Sequence, residues 1–87
     1  MLTRLYIGSN NSSKVLELDK IKQLLSEHFE GFTIETATGY WKGEEKQTAI
    51  VSIETDKDLP PIIRYMREQL NQESIAFEAA NSTLIFV

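Results

Sequence analysis

Apolar and polar residues alternate from Leu2 to Gly8, with Leu5 and Ile7 on one side and Arg4 and Tyr6 on the other. That is the period of a half-buried strand, and Gly8 ends it. SNNSSK, residues 9–14, has no periodicity and reads as a loop. From Val15 to Phe29 the period becomes helical. Leu18, Ile21, Leu25 and Phe29, widened by Leu24, form one stripe, while Glu17, Lys20, Ser26 and Glu27 face away. Ser12 or Ser13 is a candidate cap, Asp19 a later start, and Gly31 a candidate for the residue just past the helix end.

The run from Phe32 to Asp56, FTIETATGYWKGEEKQTAIVSIETD, predicts two strands joined at GYWKG in a long hairpin. Phe32, Ile34 and Thr36 oppose Thr33, Glu35 and Ala37; Ala49, Val51 and Ile53 oppose Ile50, Ser52 and Glu54. Each strand therefore has one apolar and one mixed face. Asp58 suits an N-cap, Pro60 and Pro61 suit only a first helical turn, and Leu59, Ile62, Ile63, Met66 and Leu70 recur at helical spacing, so a second helix is expected to end near Asn71. A strand from Ser74 to Ala79, a turn near Asn81 and a last strand from Thr83 to Val87 complete the chain. This order, β, α, β, β, α, β with one further β, is the split βαβ pattern. It predicts an α+β, ferredoxin-like sandwich in which both helices cover one face of an antiparallel sheet.

On that arrangement Leu5, Ile7, Phe32, Ile34, Val51, Ile53, Ile75 and Phe77 point toward the helices. The other face carries Arg4, Tyr6, Glu35, Ile50, Ser52, Glu54, Ala76 and Glu78, which is neither a charge carpet nor a second core. Such a face, and a last strand apolar on both sides at Leu84, Ile85, Phe86 and Val87, predict a homo-oligomer.

Composition narrows the function. The 87 residues make one domain, 1–87. Acidic residues outnumber basic ones 13 to 9 without any block of like charge, so no footprint for a nucleic acid polymer is expected. The absence of Cys excludes disulfides, thiolate metal sites and thiol nucleophiles. No apolar stretch approaches the ~18 residues that span a bilayer, and MLTRLYIG lacks the features of an export signal, so no membrane partner and a cytoplasmic location are expected.

The order of elements, with Tyr40, Trp41, Lys42 and Gly43 at a hairpin tip followed by AIVSIET, resembles the PII-like proteins, and within them the CutA branch. Tyr6 to Gly8, Gly39 to Gly43 and Gln72 to Ser74 are also similar to a YxG strand, a GYWKG-like hairpin and a QES-like segment in short bacterial proteins. The resemblance implies a trimer of ferredoxin-like subunits with ligand sites in the clefts between them. The chain departs from it in lacking Cys and in having a single His, which speaks against copper.

The candidate chemistry is sparse. GSNNSSK, Gly8 to Lys14, lies between a strand and a helix, where backbone N–H groups and the helix dipole favour anions. It misses a P-loop, because no second Gly precedes Lys14 and Val15 stands where Ser or Thr would meet magnesium; a plain polar connector is the alternative. At the tip, Tyr40 and Trp41 could stack on a planar ligand while Lys42 meets a phosphate or carboxylate; alternatively the Trp pins a neighbouring subunit. Arg4 and Tyr6 are further candidates, because an Arg opposite the core face must find a partner or an anion once an oligomer covers it, and Glu35, Glu54 and Glu78 are the partners available. His28 alone makes no metal site, so neither metal nor cofactor is expected.

No nucleophile, base and orienting group stand together, so no catalytic residue is assigned. The expectation is a non-enzymatic homo-oligomer, a trimer with a dimer as the alternative. It would bind or sequester a small anionic, nucleotide-like ligand between subunits through Arg4, Tyr6, Ser9, Asn10, Asn11, Lys14, Tyr40, Trp41 and Lys42. It would act as a sensor or, in a virus, as a sponge for a host signalling nucleotide. A protein-interaction module built on Tyr40 and Trp41, and a small dimeric ferredoxin-like enzyme, are the competing readings.

Overall fold

Leu5 and Ile7 are buried because the strand that carries them, β1 (Leu2–Gly8), runs through the middle of one five-stranded antiparallel sheet. The computed structural model describes residues 1–10, 12–79 and 84–87. After β1 come α1 (Leu18–His28), β2 (Thr33–Trp41), β3 (Glu44–Glu54), α2 (Leu59–Gln69), β4 (Ala76–Ala79) and β5 (Ile85–Phe86). The spatial order β2-β3-β1-β4-β5 is the split βαβ arrangement of an α+β fold. No helix among the described residues is long and apolar enough to cross a membrane.

Register sorts the side chains. Leu5 pairs with Val51 and Phe77, and this row, with Ile7, Ile53 and Ile75, packs on Ile21, Leu24 and Leu25 of α1 and Ile63 and Met66 of α2. Phe32 and Ile34, placed among the helix-facing residues by their pattern, are only partly buried, since β2 is an edge of the sheet. The opposite row runs Glu35, Ile50, Tyr6, Ala76 and Phe86 across all five strands.

The helix ends differ from expectation for local reasons. α1 starts at Leu18 rather than Val15, with Glu17 at its N-cap. Ser12 and Ser13 do not cap it: their backbone N–H groups donate to Asn10 Oδ1 at 2.8 and 3.1 Å, an Asx-type turn that uses up this stretch. Gly31 is not the residue past the helix either, because Phe29 already returns to extended backbone at φ −133°. Asp58 stands at the N-cap of α2 with Pro60 and Pro61 in the first turn, but its side chain makes no capping bond.

The end of α2 sets the course of the chain beyond it. Asn71 adopts a left-handed φ of 52°. Its N–H reaches the Glu68 carbonyl at 3.3 Å while that of Gln72 reaches Arg67 at 3.0 Å. This pair of bonds is a Schellman motif, with Asn in the place Gly usually takes. It fixes the direction in which Gln72 and Glu73 leave the helix. β4 then begins at Ala76 rather than Ser74, and β5 holds Ile85 and Phe86. The turn expected near Asn81 and the strand start at Thr83 lie outside the described residues.

The hairpin outruns its sheet. β2 and β3 pair as far as Trp41 with Glu44, closing through Lys42 and Gly43 at φ 52° and 79°. Two left-handed residues in succession make the type I′ turn that matches strand twist. β1, however, stops pairing at Gly8 with Thr48. Residues 38–47 therefore project as a two-stranded arm.

Candidate functional site

β2 and β5 are opposite edges of the sheet, four inter-strand steps or about 19 Å apart if it lay flat. The rings of Trp41 on β2 and Phe86 on β5 nevertheless stand 5.8 Å apart. The arm curls over the mixed face and turns it into a cleft of about 490 Å³. Gly8, Gly39, Thr48 and Ala76 give it small side chains along the strands, Tyr6, Tyr40, Trp41 and Phe86 give it aromatic walls, and Lys46, Gln72, Glu73 and Glu78 supply polar groups. The small residue at 39 has a steric cause. A Cβ there would sit 2.6 Å from Thr48 Oγ1.

Glu73 holds the arm down. The Schellman turn delivers its carboxylate to the tip, where Oε1 pairs with Lys42 Nζ at 2.8 Å and Oε2 accepts from Trp41 Nε1 at 3.4 Å. The hydrogen bond from Lys42, then that from Trp41, keeps the Glu73 carboxyl below its ordinary pKa. A depressed carboxylate pKa contributes stability above the unfolded value that is lost as pH falls through the folded one. Acidification below about pH 4.5 is therefore expected to release the arm, read as a change in the fluorescence of the sole Trp. Glu73→Gln should abolish that transition; its persistence would mean that another contact holds the tip.

On the opposite wall Tyr6 Oη donates to Glu78 Oε1 at 2.5 Å, and Arg4 Nη1 lies 3.9 Å from the same oxygen. The bond to Glu78, and after it burial, raises the Tyr6 pKa, so the phenol stays a protonated donor at neutral pH. Glu78 is the carboxylate that Arg4 and Tyr6 needed. Glu54 pairs with the N-terminal amine and Glu35 is exposed.

The structure divides the residues singled out in the sequence. Tyr6, Tyr40 and Trp41 line the cleft, Arg4 reaches it through Glu78, and Lys42 is turned to Glu73. Ser9, Asn10 and Lys14 are not among its lining. Ser9 is buried, and Asn10 staples the loop, its Nδ2 donating to Glu17 Oε1 at 2.7 Å and to the Leu70 carbonyl at 3.3 Å. Lys14 is exposed, its backbone N–H on the Asn10 carbonyl at 2.8 Å. Asn11 lies outside the described residues. The first loop thus serves the packing of α1 on the end of α2. Sequence reasoning did not place Gln72, Glu73, Glu78 or Phe86 in a ligand site, although the Gln72 to Ser74 segment was already one of the motifs that carried the resemblance; Gly8 and Gly39 stood at the ends of the loop and the hairpin tip it singled out.

No family model matches the chain, and no curated protein matches it. Among solved structures it is similar to a phage SAM lyase in its apo state, with a TM-score of 0.60 and 13% identity over 99% of this chain and 86% of that one. The shared feature is the fold. This neighbour is an enzyme, and it overturns the expectation of a non-enzymatic protein that binds or sequesters an anion. The charged residues described in the lining of the cleft are Lys46, Glu73 and Glu78; Glu73 is paired with Lys42 and Glu78 has Arg4 3.9 Å away.

Proposed function

We propose that this chain is an enzyme of the lyase type that holds a sulfonium substrate of the S-adenosylmethionine kind in the arm-covered cleft and breaks one of its carbon–sulfur bonds. The observation that carries the reading is an aromatic cleft with two carboxylates, in a fold matched along 99% of the chain by a SAM lyase. A sulfonium is a weakly hydrated cation in an apolar surround. Aromatic faces attract such a cation by about 0.5–2 kcal/mol, and Glu78, whose nearest cation Arg4 stands 3.9 Å away, adds opposite charge.

The reaction asks little acid–base work of the protein. As the carbon–sulfur bond breaks, its electron pair goes to sulfur and a neutral thioether leaves without needing a proton. The carbon must gain a nucleophile or lose a neighbouring proton. Glu73 is engaged by Lys42 and Trp41, and Glu78 by Tyr6. The route that fits is attack by the substrate's own carboxylate oxygen, which closes a lactone as the thioether departs. The cleft then contributes by folding the substrate and excluding water.

Assembly belongs to the same proposal. Leu2, Leu84, Ile85 and Phe86 are exposed, Leu84 and Phe86 in the lining of the cleft and Ile85 between them at the sheet edge, and a homo-oligomer, a trimer by the resemblance, would cover them. Incubating the purified chain with S-adenosylmethionine and separating the products is expected to yield thioether and lactone in equal amounts. No thioether above the uncatalysed rate would refute the lyase reading, and an alkene in place of the lactone would require a protein base.

A further inference from the structure

Gln72 is held in a way that determines which of its amide atoms a ligand meets. Its Nε2 donates to the Gly8 carbonyl at 2.9 Å and to the Ser9 carbonyl at 2.8 Å. Two carbonyl oxygens can be satisfied only by the NH2 end, so the amide has one orientation. Both of its hydrogens are taken, which leaves Oε1 as the group offered to the cleft. Its position is defined by Gly8: a Cβ on that residue, on the open face of the sheet, would stand 3.8 Å from Oε1. The missing side chain at Gly8 keeps the space below this oxygen clear, and Gly39 and Thr48 keep the neighbouring strands low. The result is a shelf for a flat group with a fixed hydrogen-bond acceptor at its edge.

We infer that this shelf is a subsite for an amino-bearing purine ring, read by donation of its exocyclic amine to Gln72 Oε1. The inference rests on the sulfonium reading in that the adenine of such a substrate is the ring concerned, but the recognition can be measured without any cleavage. A fixed acceptor favours a ligand donor and penalises a ring without one, which leaves Oε1 unpaired inside the complex. Gln72 is thus a specificity-determining residue, its amide held by backbone atoms of β1 and the residue after that strand.

The test uses the intact chain and equilibrium binding followed by the fluorescence of its single Trp, with adenosine, purine riboside and inosine as probes. Wild type is expected to bind adenosine about 10- to 100-fold more tightly than purine riboside or inosine, the range for one unsatisfied hydrogen-bonding group. In Gln72→Ala the ratio should collapse toward one. Gly8→Ala is the second variant, because its Cβ would meet Lys46 Cδ at 3.7 Å and Gln72 Oε1 at 3.8 Å, ordinary contacts that leave the fold intact. It should weaken adenosine binding by filling the shelf, without shifting the urea midpoint. Equal binding of the three nucleosides by wild type, discrimination that survives in Gln72→Ala, or no nucleoside binding at millimolar concentration would each overturn the inference. Discrimination without any cleavage of S-adenosylmethionine would sink the lyase reading alone, and cleavage without discrimination would sink only this one.

Discussion

Glu78→Gln is expected to raise the KM for S-adenosylmethionine about 10- to 100-fold, the worth of one charge-assisted contact, while leaving kcat within about threefold. The sulfonium loses its charge on the way to the transition state. A carboxylate that attracts it therefore favours bound substrate at least as much as the reacting species, and its removal is felt mainly in binding. The amide oxygen of Gln can still accept from the Tyr6 phenol, so the wall keeps its geometry. Steady-state kinetics of the purified variant make the decision. A fall in kcat of about 10²- to 10⁴-fold is what loss of a general base produces, and would move Glu78 into that role.

Trp41→Ala is expected to lower kcat/KM about 100-fold, while Trp41→Phe stays within about tenfold of wild type. An aromatic pair is worth about 0.5–1.5 kcal/mol and a desolvated cation over a ring about 2 kcal/mol, together near the roughly 2.8 kcal/mol of two decades. Phe keeps the ring for Phe86 and the substrate but drops the N–H that reaches Glu73. The urea midpoint should move little in either variant, because the core built on Leu25, Ile63 and Met66 lies on the other side of the sheet. Unchanged kinetics in Trp41→Ala would detach the arm from the site altogether.

The sheet and both helices were legible because their signals are short-range. Alternation placed Leu5, Ile7, Val51 and Ile53 on the helix side, and the double proline marked the first turn of α2. Boundaries failed where a side chain competed with the backbone, as Asn10 does for the amides of Ser12 and Ser13. The cleft was less legible for a different reason. Trp41 stood out as the sole Trp, but its contact with Phe86 spans the whole width of the sheet and depends on curl, which no local pattern encodes. Gln72 and Glu73 carried a polar motif without a direction until the left-handed Asn71 aimed them. The anion expected from Lys42 depended on a free cation. Its ammonium instead neutralises Glu73, a pairing between residues 31 apart in the chain.

Among the described residues, the two strands of the arm, residues 38–47, are hydrogen-bonded to each other but to no third strand, whereas the rest of β3 is held from both sides. Segments with fewer backbone partners and little buried apolar surface exchange their amides through local openings that cost less than global unfolding. The wall bearing Trp41 is thus less firmly held than the part of β3 that pairs on both sides. A substrate can enter and its products can leave by displacing one clasp, and the core that keeps Tyr6, Glu78 and Gln72 in register need not loosen for turnover to proceed.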